Sequence, residues 1–326
     1  MKHFILICFC AILASAATAQ PAWVYSSNLE STDIDVASRS FIEVDSNGRL
    51  WCCRYDLGGV DVFNQDGTRP FGLSGPITTA KDASGTDIPV ENPSGLAIHN
   101  GFVYVSLDDQ TGDVYTGIVR FNESDGTPLN GWDLTWRPSD IDINSINQVI
   151  VGVKVEGTVR LMDLSGSEIF TYSTGQKLVR GVCWSNDGNT IYVCGEENPW
   201  VTDSSDYFGK FVSSDGFTNF SVISTSIVGP EAIDVDSDDY VYVSETSPGY
   251  SPSYIDPPHH IYIYDDSDTL VSSLNDSALD RPCGIAIYAP TPENTAMYVS
   301  LSNSYNYFPK YIPPTTAVCI PWNLFE

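Results

Sequence analysis

The chain has 326 residues, with 42 acidic side chains against 15 basic ones and a formal net charge of −27. So acidic a surface excludes nucleic acid and anionic membranes as partners, because both would be repelled. The length suits one large core or two smaller ones, and no linker, low-complexity tract or helical period marks a division.

In chain order, the first residues read as an export signal. Lys2 and His3 form a basic start, residues 4–13 an apolar core, and Ala17-Thr18-Ala19 a small-residue cleavage site. The apolar run is too short to cross a bilayer and no other follows, so no membrane span is expected. The predicted organisation is a signal peptide over 1–19 and a single domain over 20–326. The expected location is secreted or extracellular, or periplasmic in a bacterium. Three Asn-x-Ser sequons, at Asn122, Asn219 and Asn275, are candidate glycan acceptors if the source is eukaryotic.

Export also governs the cysteines. Cys8 and Cys10 leave with the signal, and Cys52, Cys53, Cys183, Cys194, Cys283 and Cys319 remain for an oxidising compartment. Cys183 and Cys194 flank the turn 186–189 on the two arms of one hairpin, so a bridge between them is expected. Adjacent Cys52 and Cys53 point to opposite sides of a strand, which favours separate partners or free thiols. No Cys-x-x-Cys pair or Cys/His cluster suggests zinc.

The domain itself is a repeated hairpin. In 230–244, alternating apolar residues run into an Asp-rich turn and out again along Tyr240-Val241-Tyr242-Val243. Related copies begin at Pro93-Ser94-Gly95, Pro138-Ser139-Asp140, Val179-Arg180-Gly181 and Pro282-Cys283-Gly284, with a degenerate copy at Ser40-Phe41-Ile42. Each second strand ends on a small residue: Cys53, Ser106, Gly152, Cys194, Ser244 or Ser300. A period of roughly 40–55 residues is that of propeller blades. Third strands follow in most copies, as in Gly117-Ile118-Val119-Arg120-Phe121, and a fourth in some, as in Glu168-Ile169-Phe170-Thr171-Tyr172. The predicted fold is all-β: a six-bladed β-propeller of four-stranded antiparallel blades. The lone strand at Trp23-Val24-Tyr25 is expected to close the last blade, whose third strand is placed at 316–320. That closure hides sheet edges.

The stretch Pro93-Ser94-Gly95-Leu96-Ala97-Ile98-His99-Asn100-Gly101-Phe102-Val103-Tyr104-Val105 resembles an NHL-type repeat. It is also similar to the blade motif of the senescence-marker-protein (SMP-30)/gluconolactonase and paraoxonase-like propellers, and the resemblance covers nearly all of the exported chain. It implies that the first strand of each blade lines a central channel. The loops from second to third strand would share a face with the entry into the first. Ser40, Ser94, Ser139, Arg180, Glu231 and Cys283 would then ring the channel mouth. The resemblance further implies a catalytic calcium at this mouth, where only Glu231 offers a good oxygen ligand. Ser40, Ser94 and Ser139 are weaker donors, Arg180 is cationic and Cys283 offers sulfur.

Arg180 and Glu231, in successive blades, are therefore expected to form either a channel-plugging salt bridge or an anchor for a small anionic or hydroxylated ligand. The long loops 195–209, 245–260 and 301–316 hold Trp200, Tyr207, Phe208, Tyr250, Tyr254, Tyr305, Tyr307, Phe308 and Tyr311. About half of these rings are expected to cover the loops' own backbone and the rest to form a binding patch over blades four to six. His99 reads as an exposed turn residue, and His259 and His260 as loop-edge residues. Asp234, Asp236, Asp238 and Asp239 read as a solvated turn, since an EF-hand needs flanking helices. The leading functional expectation is a non-enzymatic binding scaffold for an extracellular protein or glycan, using Arg180, Glu231, Trp200, Tyr250, Tyr254, Tyr305 and Tyr307, with no required cofactor. The alternatives are a calcium-dependent lactonase or esterase and a structural assembly component.

Overall fold

The computed structural model describes residues 23–30, 41–108, 115–196, 206–246, 259–291, 294–301 and 307–313. After β1 (Val24–Glu30), blade one comprises β2 (Ile42–Val44), β3 (Leu50–Cys53) and β4 (Val60–Phe63). A hairpin of β5 (Thr79–Lys81) and β6 (Asp87–Pro89) leads to blade two: β7 (Pro93–His99), β8 (Phe102–Leu107), β9 (Gly117–Asn122) and β10 (Pro128–Asp133). Blade three is β11 (Pro138–Ile143), β12 (Gln148–Val153), β13 (Thr158–Asp163) and β14 (Glu168–Ser173). Blade four is β15 (Gly181–Trp184), β16 (Thr190–Gly195), β17 (Tyr207–Val212) and β18 (Ser221–Ser224). Blade five is β19 (Pro230–Val235), β20 (Val241–Glu245), β21 (Ile261–Tyr264) and β22 (Leu270–Leu274). Blade six is β23 (Pro282–Tyr288), β24 (Ala296–Leu301) and β25 (Tyr307–Ile312).

These strands make the expected all-β propeller of six antiparallel blades, and the ring closes where β23 meets β2. The amino-terminal strand completes blade six: β1 runs antiparallel along β25, with Leu29 opposite Phe308. Just before it, the Trp23 indole donates to the Tyr242 hydroxyl (3.0 Å), which donates to Asp236 (2.7 Å), tying the closure to blade five. Blade one is less regular. Its fourth position is a single bridge from Ile77 to Val60, and the β5–β6 hairpin instead lies along the outer edge of blade two, β5 parallel to β10.

The period-2 pattern explains the core. Second strands are buried on both faces, whereas outer strands such as β14 and β22 are largely exposed. Six apolar clusters fill the six junctions between blades, so each blade buries both faces against its neighbours. The small residues serve a closer contact, between innermost strands near the axis. A Cβ on Gly95 would lie 2.5 Å from the Asp140 Cα of the next blade, and one on Gly181 would lie 2.9 Å from the Glu231 carbonyl oxygen.

Carboxylates clasp the same strands. Asp140 accepts the Val182 amide (3.1 Å) and Asp142 the Trp184 amide (2.7 Å), joining blade three to four. Asp234 accepts the Ile287 amide (2.8 Å), joining five to six. Only part of the Asp234–Asp239 run is therefore a turn. Asp236 shapes it by accepting the Asp238 and Tyr240 amides, while Asp234 belongs to the channel wall. Glu43, Asp142 and Asp234 retain some accessible surface, but the protein packed around them desolvates all three carboxyls. Burial pushes the Asp142 carboxyl above the ordinary range, and burial reinforced by neighbouring carboxylates does the same for Glu43 and Asp140 and takes Asp234 up to about 7.

Three expectations need correction. The third strand of the last blade is β25, Tyr307–Ile312, not 316–320. Strands β17 and β25 begin earlier than expected, so Tyr207, Phe208, Phe308 and Tyr311 are buried strand residues rather than loop residues. Cys183 and Cys194 are buried free thiols. Cys183 lies opposite Tyr192 and Cys194 opposite Gly181, so the pair is diagonal by two residues. Diagonal neighbours lie roughly 7–8 Å apart, beyond the usual Cα separation of a bridge. Cys52, Cys53 and Cys283 are likewise buried and outside any disulfide, and Cys319 lies outside the described residues.

Three measurements test this architecture. Deleting residues 20–30 removes the outer strand of blade six, and Trp23→Ala alone should cost about 3–5 kcal/mol; an unchanged melting temperature in the deletion would contradict closure. Gly95→Ala should destabilise by about 1–3 kcal/mol through overpacking. Gly75→Ala, where an added Cβ meets nothing within 4 Å, should stay within about 0.5 kcal/mol. Finally, a carboxyl with a raised folded pKa binds more protons folded than unfolded, so its contribution to stability is lost as pH rises through the window. For Asp234 that window runs from the ordinary 3.8 to about 7. The fall in melting temperature between pH 5 and pH 8 should therefore be smaller in Asp234→Asn than in the wild type, and parallel profiles would refute the assignment.

Candidate functional site

The residues entering the innermost strands converge at one end of the channel. Phe41, Ser94, Ser139, Arg180 and Glu231 hold equivalent places before or at the start of β2, β7, β11, β15 and β19, and all line one small cavity. Ser40 lies outside the described residues. Cys283 is completely buried and its thiol donates to the Arg281 carbonyl (3.3 Å), so it does not line the cavity.

A second ring was not anticipated from the sequence. Two residues beyond the small position of the second strands in blades one to five stand Tyr55, Asp108, Lys154, Glu196 and Thr246. Tyr55 and Lys154 complete the cavity wall, and Glu196 reaches Arg180. The signal was available: strand alternation puts the small residue and the residue two further on the same side, so the register that found one ring also locates the other.

Asp108 is the hub between blades one and three. It is fully buried and receives Arg137 through two nitrogens (2.6 and 3.0 Å), the Lys154 ammonium (2.7 Å) and the Tyr55 hydroxyl (2.9 Å). Burial pushes its pKa up, but the hydrogen bonds and charges of Arg137 and Lys154 outweigh burial and hold it below the ordinary range. Lys154 also donates to the Tyr55 hydroxyl (3.0 Å) and sits 4.6 Å over that ring. Its own pKa is lowered, first by burial and then by the like charge of Arg180, against the opposing pull of Asp108 and Glu231.

Arg180 and Glu231 do come together, with Nε 3.9 Å from Oε2, and Arg180 Nη2 lies 3.3 Å from Glu196. The two serines differ. Ser94 donates to the Ser139 carbonyl (2.9 Å), fastening blade two to three, whereas the buried Ser139 hydroxyl has no hydrogen-bond partner. The cavity opens to solvent and is small, with room for about one water molecule.

Glu231 is flanked by two cations, and among the described residues no three His, Cys, Asp or Glu side chains are grouped to hold a metal. Of the aromatic candidates, Tyr307 packs against the cluster between blades five and six, while Trp200, Tyr250, Tyr254 and Tyr305 lie outside the described residues.

A separate polar row crosses the same end of blade five. His260 Nδ1 donates to Glu245 (2.8 Å), which leaves Nε2 to accept from Asn275 (3.2 Å), and the Tyr262 hydroxyl also reaches Glu245 (3.2 Å). His259 is buried, 3.7 Å from Asp280. His99 is not the exposed turn residue expected but the half-buried last residue of β7, 2.8 Å from Asn147.

No family model matches the chain, and no curated protein matches it. Solved structures do. A virginiamycin B lyase from Staphylococcus aureus superposes with a TM-score of 0.57 at 14% identity, over 88% of this chain and 98% of that one. A streptogramin B lyase superposes with a TM-score of 0.56 at 15% identity, over 88% and 97%. At these identities the likeness is one of fold, and the propeller itself hosts many unrelated activities.

Proposed function

We propose that the chain is an exported propeller that binds a small polar ligand at the channel mouth. The observation carrying this reading is the cavity of Ser94, Ser139, Lys154, Arg180 and Glu231, on which charges of both signs converge, with the partnerless Ser139 hydroxyl buried behind its wall. Structural ion pairs also gather in propeller cores, but a buried hydroxyl without a partner at an open cavity is what a missing ligand or water would leave. The leader-like residues 1–19 support export. An extracellular protein or glycan remains the proposed source of the ligand group. The segments holding Trp200, Tyr250, Tyr254 and Tyr305 join second to third strands, and those strands end at the mouth.

A second reading, an enzyme acting by proton transfer, is favoured by Lys154. Its lowered pKa and its contact with the Tyr55 hydroxyl suit a general base. The two structural neighbours are lyases by name, and an elimination begins with such a proton transfer. NHL-like or gluconolactonase-like membership adds nothing to either reading beyond the fold.

Lys154→Met separates a working mouth from a structural plug, because Asp108 keeps Arg137 and Tyr55. Ligands found by thermal-shift screening of small polar metabolites should bind this variant at least tenfold more weakly by calorimetry. Affinities equal to the wild type would rule out the mouth as the binding site.

A further inference from the structure

One register position repeats around the innermost layer of the propeller. It holds Glu43 on β2, Ala97 on β7, Asp142 on β11, Cys183 on β15, Asp234 on β19 and Ala286 on β23, and Asp140 stands two residues before Asp142. These strands pack on one another in a closed ring. The carboxyls of Glu43, Asp140, Asp142 and Asp234 thus share one desolvated region, close enough for the other three to act on Glu43. Among the described residues none of the four pairs with a lysine or arginine.

The three aspartates are held in the same way. Asp140 accepts the Ile141 amide beside it (2.9 Å) on one oxygen and the Val182 amide of blade four (3.1 Å) on the other. Asp142 accepts Ile143 (2.6 Å) and Trp184 of blade four (2.7 Å), and Asp234 accepts Val235 (2.7 Å) and Ile287 of blade six (2.8 Å). Glu43 makes no such clasp among the described residues and takes only the Val44 amide beside it. Ionisation therefore has two opposed effects. It strengthens each clasp, because a carboxylate is the better acceptor. It also gathers like charges where little water and no lysine or arginine offsets them. The second effect wins at all four, since each carboxyl titrates above its ordinary range. Other titratable groups face the cluster. His99 at the end of β7 eases only Asp142, Asp236 adds repulsion on Asp234, and Tyr242 lies beside Asp234. The Cys53, Cys183 and Cys194 thiols are pushed up by burial and by these carboxylates.

We propose that these carboxyls make the ring a pH-sensitive lock. Protonated, they close the junctions between blades three and four and between blades five and six. Ionised together, they repel one another and loosen both junctions. The lock needs no ligand at the mouth, although Ser139 and Arg180 stand on or beside the strands that the Asp140 clasp joins. A carboxyl whose folded pKa is raised contributes stability below its ordinary pKa and loses it as pH rises through the folded value. For Asp234 that loss runs from 3.8 to about 7.

The test is residue-resolved amide hydrogen exchange on the full exported chain, read as protection factors so that the intrinsic pH dependence of exchange cancels. Between pH 5 and pH 8 the protection of the Val182, Trp184 and Ile287 amides should fall about tenfold or more, the equivalent of one pKa unit. The Val103 and Val105 amides, on the middle strand β8 of blade two, should change by less than about twofold, because the opening is local to two junctions. Glu43→Gln removes a charge from blade one without removing a clasp. It should raise protection of the three amides at pH 8 several-fold above the wild type, which a purely local role of Glu43 cannot do. Equal protection of the three amides at the two pH values would overturn the lock, as would a fall shared equally by Val103 and Val105. So would a folded Glu43→Gln variant that matches the wild type at pH 8. If that variant does not fold, the wild-type comparison decides alone.

Discussion

At two junctions the innermost strands of neighbouring blades approach so closely that there is no room for a side chain between them. Gly95 lies against the Ser139–Asp140 backbone and Gly181 against that of Glu231 and Ala232. Close packing alone would leave the strands free to slide. The clasps from Asp140, Asp142 and Asp234 to amides of the next blade add direction, because a buried hydrogen bond from an amide to a carboxyl oxygen is geometrically specific and costly to leave unmade. The mouth follows from this constraint. Ser94 and Arg180 immediately precede the glycines that make the contact, and Asp108, Lys154 and Glu196 lie two residues beyond the matching small residues, so fixing the strands fixes the site.

Much of the fold was legible because a propeller repeats. Six copies of one hairpin, each ending its second strand on a small residue, locate the blades and predict closure by the strand after Trp23. Departures from the repeat were not legible. The β5–β6 hairpin crosses to the edge of blade two, a tertiary pairing that no local pattern announces. The aromatic residues Tyr207, Phe208, Phe308 and Tyr311 follow polar and proline-containing stretches that suggest loop, yet they occupy buried positions on third strands. The Cys183–Cys194 expectation failed on register: both thiols share a face, but the turn offsets them by two residues.

The site was half legible. Arg180 and Glu231 follow from the register of the first strands. The Asp108–Lys154–Tyr55 hub needed the second strands as well, and its three members come from three different blades, at positions 55, 108 and 154. Charge counting over the whole chain pointed the other way. A net charge of −27 suggests an acidic surface throughout, whereas the mouth gathers three basic residues, Arg137, Lys154 and Arg180, into one balanced network. Concentrating rare cations where they must be desolvated makes little sense for solubility and good sense for recognition.

The most direct measurement is an electron-density map of the mouth at high resolution, from crystals soaked with a ligand found by the thermal-shift screen. The account predicts ordered ligand density within hydrogen-bond distance of the Lys154 ammonium. A mouth closed by direct Lys154–Glu231 contact, with the Ser139 hydroxyl turned onto a protein carbonyl and no density between them, would contradict it.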